Sequence, residues 1–189
     1  PWARPDRLPR RRYLALHLPY WATDCLKRAD PDLARRQAPL ALYEKQKGAM
    51  RLVELDARAE AAGLFAGQSL SDARALVPIL VVREIDRPFL AAKFADFADW
   101  HSYASPIVSI LADTAAYGDL VLDITGVSPL FGGEKAMLEK LVSRLGQLGF
   151  AAQGAIAGSV GAAWALAHFA PGNLLDGDPA PALAGLWAT

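Results

Sequence analysis

Two kinds of hydrophobic pattern alternate along the chain. Short apolar runs flanked by turn residues predict β-strands, and longer segments with apolar residues three and four positions apart predict α-helices. The predicted strands are 13–18, 39–45, 50–56, 79–85, 106–111, 119–125 and 150–157. The predicted helices are 19–30, 56–64, 69–78, 87–104, 132–149 and 159–170.

The order of these elements predicts an α+β fold. From residue 79 onward the order is strand, helix, two strands, helix, strand, helix. Together with the first strand, at 13–18, this order favours a sheet with helices on one face. Residues 31–78 then form an insertion that can pack as a subdomain of its own.

The composition is typical of an ordered globular protein and gives no charge argument for a partner. Of the 189 residues, 53% are hydrophobic and 21% are charged, and 20 basic residues balance 20 acidic ones. Bulk charge therefore favours neither nucleic acid nor a membrane surface. The single cysteine, Cys25, excludes an intramolecular disulfide and a cysteine-cluster zinc site. No apolar run reaches about eighteen residues, so no membrane span is predicted.

Charge is nevertheless concentrated at the start of the chain, where residues 1–11 form a basic arm. The first twelve residues carry one acid, Asp6, and five arginines: Arg4, Arg7, Arg10, Arg11 and Arg12. This pattern fits a solvated arm before the first strand, and it also fits an arm that contacts phosphates. The sequence leaves both alternatives open.

The stretch YGDLVLDITGVSPLFGG (117–133) contains the candidate chemistry of the chain. Asp119 and Asp123 lie on one predicted strand, on the same face, ahead of a glycine-rich turn. Four residues along a strand span about 13 Å, so the two carboxylates cannot share one metal pair. We therefore expect a structural or turn-capping role for Asp123.

Four stretches taken together resemble the Y-family of translesion DNA polymerases. They are the first strand and helix (13–28), DARAEAAGLFAGQSLSDARALVP (56–78), SYASPIVSILADTAAYGDLVLDITG (102–126) and GAIAGSVGAAWALA (154–167). The resemblance runs from about Arg12 to Ala170 in the family's order. LDITGVSPLFGGE (122–134) is its most specific piece and is similar to a polymerase-like member of a bacterial damage-induced mutagenesis assembly.

The resemblance implies a domain organisation. Residues 12–30 and 79–170 would be the palm, a ferredoxin-like sheet with helices on one face, and 31–78 would be a small fingers insertion. Residues 171–189 would begin a truncated thumb. Because the chain starts at Pro1 and ends in a Pro/Ala/Gly-rich stretch, we expect it to be part of a longer protein.

The resemblance also implies that the catalytic carboxylates are degenerate. Active members bind Mg²⁺ with one Asp on the first strand and an adjacent Asp-Glu pair on a later strand. These positions fall here on His17, Gly118 and Asp119. Imidazole suits zinc better than Mg²⁺, but His101 and His168 stand elsewhere without ligand spacing. We therefore expect no metal site, no bound Mg²⁺ and no catalytic residue.

The nucleotide contacts of active members are replaced as well. The Tyr and Arg of the fingers helix fall on Ala57 and Glu60, and Glu60 would repel a phosphate. A palm lysine aimed at the phosphates falls on Trp164. The aromatic residue beside the sugar is either shifted to Trp21 or lost to Ala22.

Other classes of site are not supported. A P-loop is excluded because the chain has no GK[ST] sequence, so GLFAG and LFGG are interpreted as turn glycines. A hydrolase triad lacks a G-x-S-x-G context. Six aromatic residues of the predicted helices 87–104 and 159–170 are expected in the core: Phe89, Phe94, Phe97, Trp100, Trp164 and Phe169.

The function implied by the resemblance is that of a non-catalytic polymerase homologue, an adaptor in damage-induced mutagenic translesion synthesis and DNA repair. It would act in the bacterial cytoplasm, at the nucleoid, with no membrane contact. Its expected partners are the sliding clamp, an error-prone replicative-type DNA polymerase and a RecA-like accessory protein, bound through regions outside this chain. The full-length protein would contact DNA. Two alternatives remain: a weakly active polymerase that uses Asp119, and an interaction module without a DNA role.

Overall fold

A computed structural model describes residues 10–111 and 118–176. In chain order its elements are β1 (Tyr13–His17), α1 (Trp21–Ala29), α2 (Pro31–Arg35), β2 (Leu40–Gln46), β3 (Ala49–Leu55), α3 (Ala57–Ala61), α4 (Leu70–Leu76), β4 (Val81–Glu84), α5 (Arg87–Trp100), β5 (Val108–Ile110), β6 (Asp119–Asp123), α6 (Glu134–Gln147), β7 (Gln153–Ala157) and α7 (Val160–Phe169). The predicted α+β class is confirmed. Within the described ranges, no helix combines the length and apolar character needed to cross a bilayer.

The chain divides into two compact units, which are described separately. The first takes the described residues of 1–18, 94–148 and 152–189, and the second takes 19–93 and 149–151. This division differs from the ranges expected for palm and fingers, since it places α1 and β4 in the second unit.

The first unit contains a four-stranded antiparallel sheet in the order β5-β6-β1-β7. This is the strand order of the predicted ferredoxin-like sheet. Residues 172–175 run beside β7, where Gly172 donates to the carbonyl of Gly154 and Leu175 donates to that of Ile156. Of the range expected to begin a thumb, 171–176 therefore extend this sheet, and 177–189 lie outside the described residues.

The two faces of this sheet carry different side chains because successive residues of a strand point to opposite sides. On one face, Ala15 and Ala155 pack against the small residues of α7. On the other face, Leu138 of α6 and Leu16 meet the position that a Cβ on Gly154 would occupy. Helices thus cover both faces, not the one face predicted, with α7 opposite α6.

The second unit contains a three-stranded sheet in the order β3-β2-β4. β2 and β3 form an antiparallel hairpin that turns at Lys47 and Gly48, both with positive φ, and β4 runs parallel to β2. The apolar side chains between this sheet and α3 and α4 form its core: Ala41, Leu52, Leu55, Ala59, Leu64, Ala73, Val77 and Leu80.

The predicted elements are present with ends that are shorter or shifted by one residue, and one helix was missed. A helix is predicted to end before Pro31, but Pro31 also begins α2. The side chain of Asp30 accepts the N–H groups of Asp32 and Leu33, which caps this short helix. Proline at the first helical position is compatible with the cap because its missing N–H needs no partner there.

Candidate functional site

The candidate site begins with two residues that face each other across the sheet of the first unit. His17 ends β1, Asp119 begins β6, and the antiparallel register places them directly opposite. His17 Nδ1 lies 2.8 Å from Asp119 Oδ1. This pair unites two positions that the resemblance assigns to the degenerate catalytic centre.

Helix α7 adds two more side chains to the same carboxylate. Trp164 and His168 are one helical turn apart and therefore share a helix face. Trp164 Nε1 donates to Asp119 Oδ2 at 2.8 Å, and His168 Nε2 lies 3.0 Å from Oδ1 and 3.1 Å from Oδ2. The helix starts at a capped residue, Ser159, whose hydroxyl accepts the N–H of Ala162.

We refer to His17, Asp119, Trp164 and His168 as the Asp119 cluster. The rings of His17 and His168 have centroids 3.6 Å apart, and those of Trp164 and His168 have centroids 4.4 Å apart. The side chains of His17, Asp119 and His168 are each exposed by about a fifth. The cluster is thus tightly packed and still borders solvent.

The donors around Asp119 decide its ionisation. Partial burial opposes the charged form, but the hydrogen bonds from His17 and Trp164 and the interaction with His168 outweigh it. The pKa of Asp119 is consequently held below its usual value. Asp119 is therefore an ionised acceptor at neutral pH.

His168 lies beside His17 on the same carboxylate. The expectation that His168 stands elsewhere, without ligand spacing, is therefore wrong. Ligand atoms of His17, Asp119 and His168 all lie within 4.8 Å of one another. A usable signal was present, because the resemblance places Trp164 at a phosphate-facing position and His168 follows one helical turn later.

Gly118 is the third position that the resemblance aligns with the catalytic carboxylates, and it contributes only backbone. Its carbonyl accepts the N–H of Leu18 at 2.8 Å. Its φ is +148°, a conformation that residues with a side chain rarely adopt. An aspartate here would therefore strain the backbone. Residues 112–117, which precede it, lie outside the described ranges.

Asp123 lies outside the Asp119 cluster. Its Oδ1 accepts the N–H of Thr125 at 3.0 Å, and its Oδ2 pairs with Arg11 at 3.2 Å. The expected turn-capping role is confirmed by the first of these contacts.

The described end of the basic segment is held by acidic partners. Arg12 forms a bidentate ion pair with Glu134, in which Nε donates to Oε1 at 2.8 Å and Nη2 donates to Oε2 at 2.6 Å. Its Nη1 donates to the carbonyl of Leu175 at 2.6 Å. Arg11 and Arg12 are thus engaged within the first unit, whereas residues 1–9 of the expected arm lie outside the described ranges.

The positions aligned with the fingers contacts lie in the second unit. Ala57 and Glu60 are on α3, and Glu60 accepts the hydroxyl of Tyr20 at 2.8 Å. Trp21 and Ala22 are both buried in α1. Neither of these two side chains is available to a sugar.

The aromatic residues divide between core and surface. Phe94 and Phe97 are buried as expected. Phe169 is 58% exposed, and Trp100 and Trp164 are each 36% exposed, so the expected place of these three in the core is wrong. The helix face of α7 that contacts the sheet consists mainly of alanines, and the large rings of Trp164 and Phe169 lie toward Asp119 or solvent.

Similarity to known proteins defines the class. The chain matches the impB/mucB/samB family over residues 17–168 and belongs to that family. Solved structures share its fold. One is an insertion ternary complex of Dbh DNA polymerase, with a TM-score of 0.68 and 14% identity over 89% of this chain and 49% of that one. Another is DinB from Sulfolobus solfataricus, with a TM-score of 0.62 and 13% identity over 86% and 47%.

A particular relative is much closer in sequence. The chain is 50% identical to Protein ImuB of Caulobacter vibrioides over 109 residues, which are 58% of this chain and 23% of that protein. The matched region is thus under a quarter of the relative's length. The similarity to an ImuB-type member of the polymerase-like family is confirmed.

Among the residues that the structure describes, the side chains of the Asp119 cluster do not fit the magnesium ions of an active polymerase. Two-metal phosphoryl transfer needs carboxylates around ions about 3.5–4 Å apart, and Mg²⁺ prefers oxygen ligands. The Asp119 cluster offers one carboxylate and two imidazoles, and the N–H of Trp164 already occupies Oδ2. No catalytic step through magnesium follows from this arrangement.

Proposed function

We propose that this chain is the polymerase-like part of a non-catalytic adaptor in damage-induced mutagenic translesion synthesis and DNA repair. The observation that carries the proposal is the state of Asp119. It is the one carboxylate among the three aligned catalytic positions, and side-chain N–H groups from His17, Trp164 and His168 surround it.

The charges at the aligned catalytic positions support the proposal. In an active polymerase, clustered carboxylates repel one another until metal ions neutralise them. Here the two histidines and the tryptophan satisfy Asp119 without an ion, and the remaining positions, His17 and Gly118, supply no carboxylate. Trp164 and Glu60 stand where cationic or phosphate-binding residues are expected, and neither supplies a positive charge for a triphosphate.

The adaptor role rests on family membership and on the similarity to Protein ImuB. We propose that the longer protein joins the sliding clamp, an error-prone replicative-type DNA polymerase and a RecA-like accessory protein in the bacterial cytoplasm. These contacts, and contact with DNA, are assigned to regions beyond this chain. The assignment of 12–30 and 79–170 as palm, 31–78 as fingers and 171–189 as the start of a thumb is part of the same proposal.

Primer extension tests the loss of catalysis. The full-length protein is incubated with a primed template, nucleotides and Mg²⁺ or Mn²⁺, beside its Asp119→Ala variant. We expect no extension by either protein. Extension by the wild type that is abolished in Asp119→Ala would establish a weak polymerase and overturn the proposal.

A genetic assay tests the adaptor role. Deletion of the gene should lower the frequency of damage-induced mutations, and expression of the Asp119→Ala variant should restore it, because the role needs no catalysis. Pulldown with sliding-clamp and polymerase baits should recover the full-length protein. An unchanged mutation frequency in the deletion strain would favour an interaction module without a DNA role.

A further inference from the structure

We propose that His17, Asp119 and His168 form a binding site for Zn²⁺. The three residues come from the end of β1, the start of β6 and α7. One ligand atom from each residue lies within 4.8 Å of the other two. His17 Nδ1 and His168 Nε2 both contact the same oxygen, Asp119 Oδ1. The inference does not rest on the adaptor role, since it concerns only the donors of this cluster.

The donor set matches zinc chemistry. Zn²⁺ binds imidazole nitrogen and carboxylate oxygen at about 2.0–2.2 Å, which places tetrahedral ligand atoms about 3.3 Å apart. Asp119 Oδ1 lies 2.8 Å from His17 Nδ1 and 3.0 Å from His168 Nε2. Each of these two separations therefore needs to lengthen by only a few tenths of an ångström when an ion replaces the hydrogen bonds.

The surroundings of the three ligands support an ion. Trp164 donates to Asp119 Oδ2 at 2.8 Å and so holds the carboxylate with Oδ1 toward the histidines. Such outer contacts orient a ligand and strengthen metal binding. The ligand side chains are each partly exposed, which gives an ion a path and leaves room for water as a fourth ligand.

The same donors discriminate between ions. Two imidazoles and a single carboxylate favour Zn²⁺ and other late transition metals over Mg²⁺, which retains water and prefers oxygen. A bound ion would tie β1, β6 and α7 together, so binding should also raise the thermal stability of the protein.

Calorimetry on the full chain after removal of metal by chelation tests this site. We expect one Zn²⁺ per chain, no measurable binding of Mg²⁺ at millimolar concentration, and a higher melting temperature with Zn²⁺. His168→Gln and Asp119→Asn should each weaken zinc binding at least about 10-fold. Cobalt(II) should give visible absorption bands in the wild type that are lost in His168→Gln.

The matched control is Asp123→Asn, on the same strand but outside the cluster, which should bind Zn²⁺ with wild-type affinity. Circular dichroism establishes that each variant is folded. Trp164→Phe keeps all three ligands and should weaken binding by a smaller factor than loss of a ligand. Absence of saturable binding, or wild-type zinc affinity in folded His168→Gln and Asp119→Asn, overturns the proposal.

Discussion

Asp56 in the second unit and Asp119 in the first are both shielded carboxylates surrounded by N–H donors. Asp56 is 1% exposed, and its Oδ1 accepts the backbone N–H groups of Leu40 and Ala59. Its Oδ2 accepts the ammonium group of Lys27 at 2.6 Å. Within the described ranges, the donors to the carboxylate of Asp119 are instead side chains.

The difference separates a structural carboxylate from a candidate functional one. The backbone donors of Asp56 exist whatever side chains surround them, and the residue caps α3 and ties it to β2. Each donor of Asp119 can be replaced by one substitution that leaves the backbone unchanged. A family can therefore change the chemistry at Asp119 while its fold persists, whereas a change at Asp56 disturbs the fold itself.

The largest expected effect is at Asp56. Asp56→Ala leaves two backbone N–H groups and Lys27 without their acceptor, and we expect unfolding to become easier by about 3 kcal/mol. Urea denaturation measures this loss. Asp56→Asn keeps an acceptor for the backbone and should lose about half as much. A loss below about 1 kcal/mol in Asp56→Ala would contradict the structural role of Asp56.

Glu54 on β3 is a carboxylate whose pKa is shifted in the opposite direction to that of Asp119. Burial raises its pKa to about 7, although the charge of Arg87 opposes the shift. Since the folded pKa exceeds the unfolded one, the folded state binds more protons between pH 4.5 and about 7, and stability falls as the pH rises through this window. The pKa of Asp119 is lowered, so its contribution is present at neutral pH and is lost on acidification.

Glu54→Gln should therefore stabilise the protein by about 2 kcal/mol at pH 8 and have little effect at pH 4. Urea midpoints at the two pH values measure the difference. The matched control is Glu44→Gln, because Glu44 pairs with Arg87 and its pKa is lowered. Stabilisation by Glu44→Gln at pH 8, or none by Glu54→Gln, would contradict this interpretation.

Much of the fold could be predicted from local patterns, and the candidate site only in part. The short apolar run at 120–122 gives β6, and the serine at 159 gives the start of α7. The partnership of His17 with His168 depends on how α7 lies on the sheet, which no local pattern contains. The exposure of Phe169 was missed for the same reason, since a hydrophobic helix does not reveal which face its neighbours leave open.

Asp119→Ala tests whether the carboxylate of the first unit contributes less to stability than Asp56 does. We expect a loss of about 1–2 kcal/mol in unfolding free energy, less than at Asp56, because the freed histidines and Trp164 can reach solvent. Chemical denaturation in the presence of a chelator measures the effect without metal. A loss larger than that of Asp56→Ala would make the Asp119 cluster a structural element of the fold.

The smallest effect is expected at Asp123. It shares a strand and a face with Asp119, but its partners are the N–H of Thr125 and the exposed guanidinium of Arg11. Asp123→Asn keeps an oxygen for Thr125 and loses only a surface ion pair, and such pairs contribute little. The urea midpoint should therefore stay within experimental error of the wild type, at low and at high salt. A salt-sensitive loss would mean that Arg11 anchors the chain before β1, and that Asp123 belongs with Asp56 as a structural carboxylate.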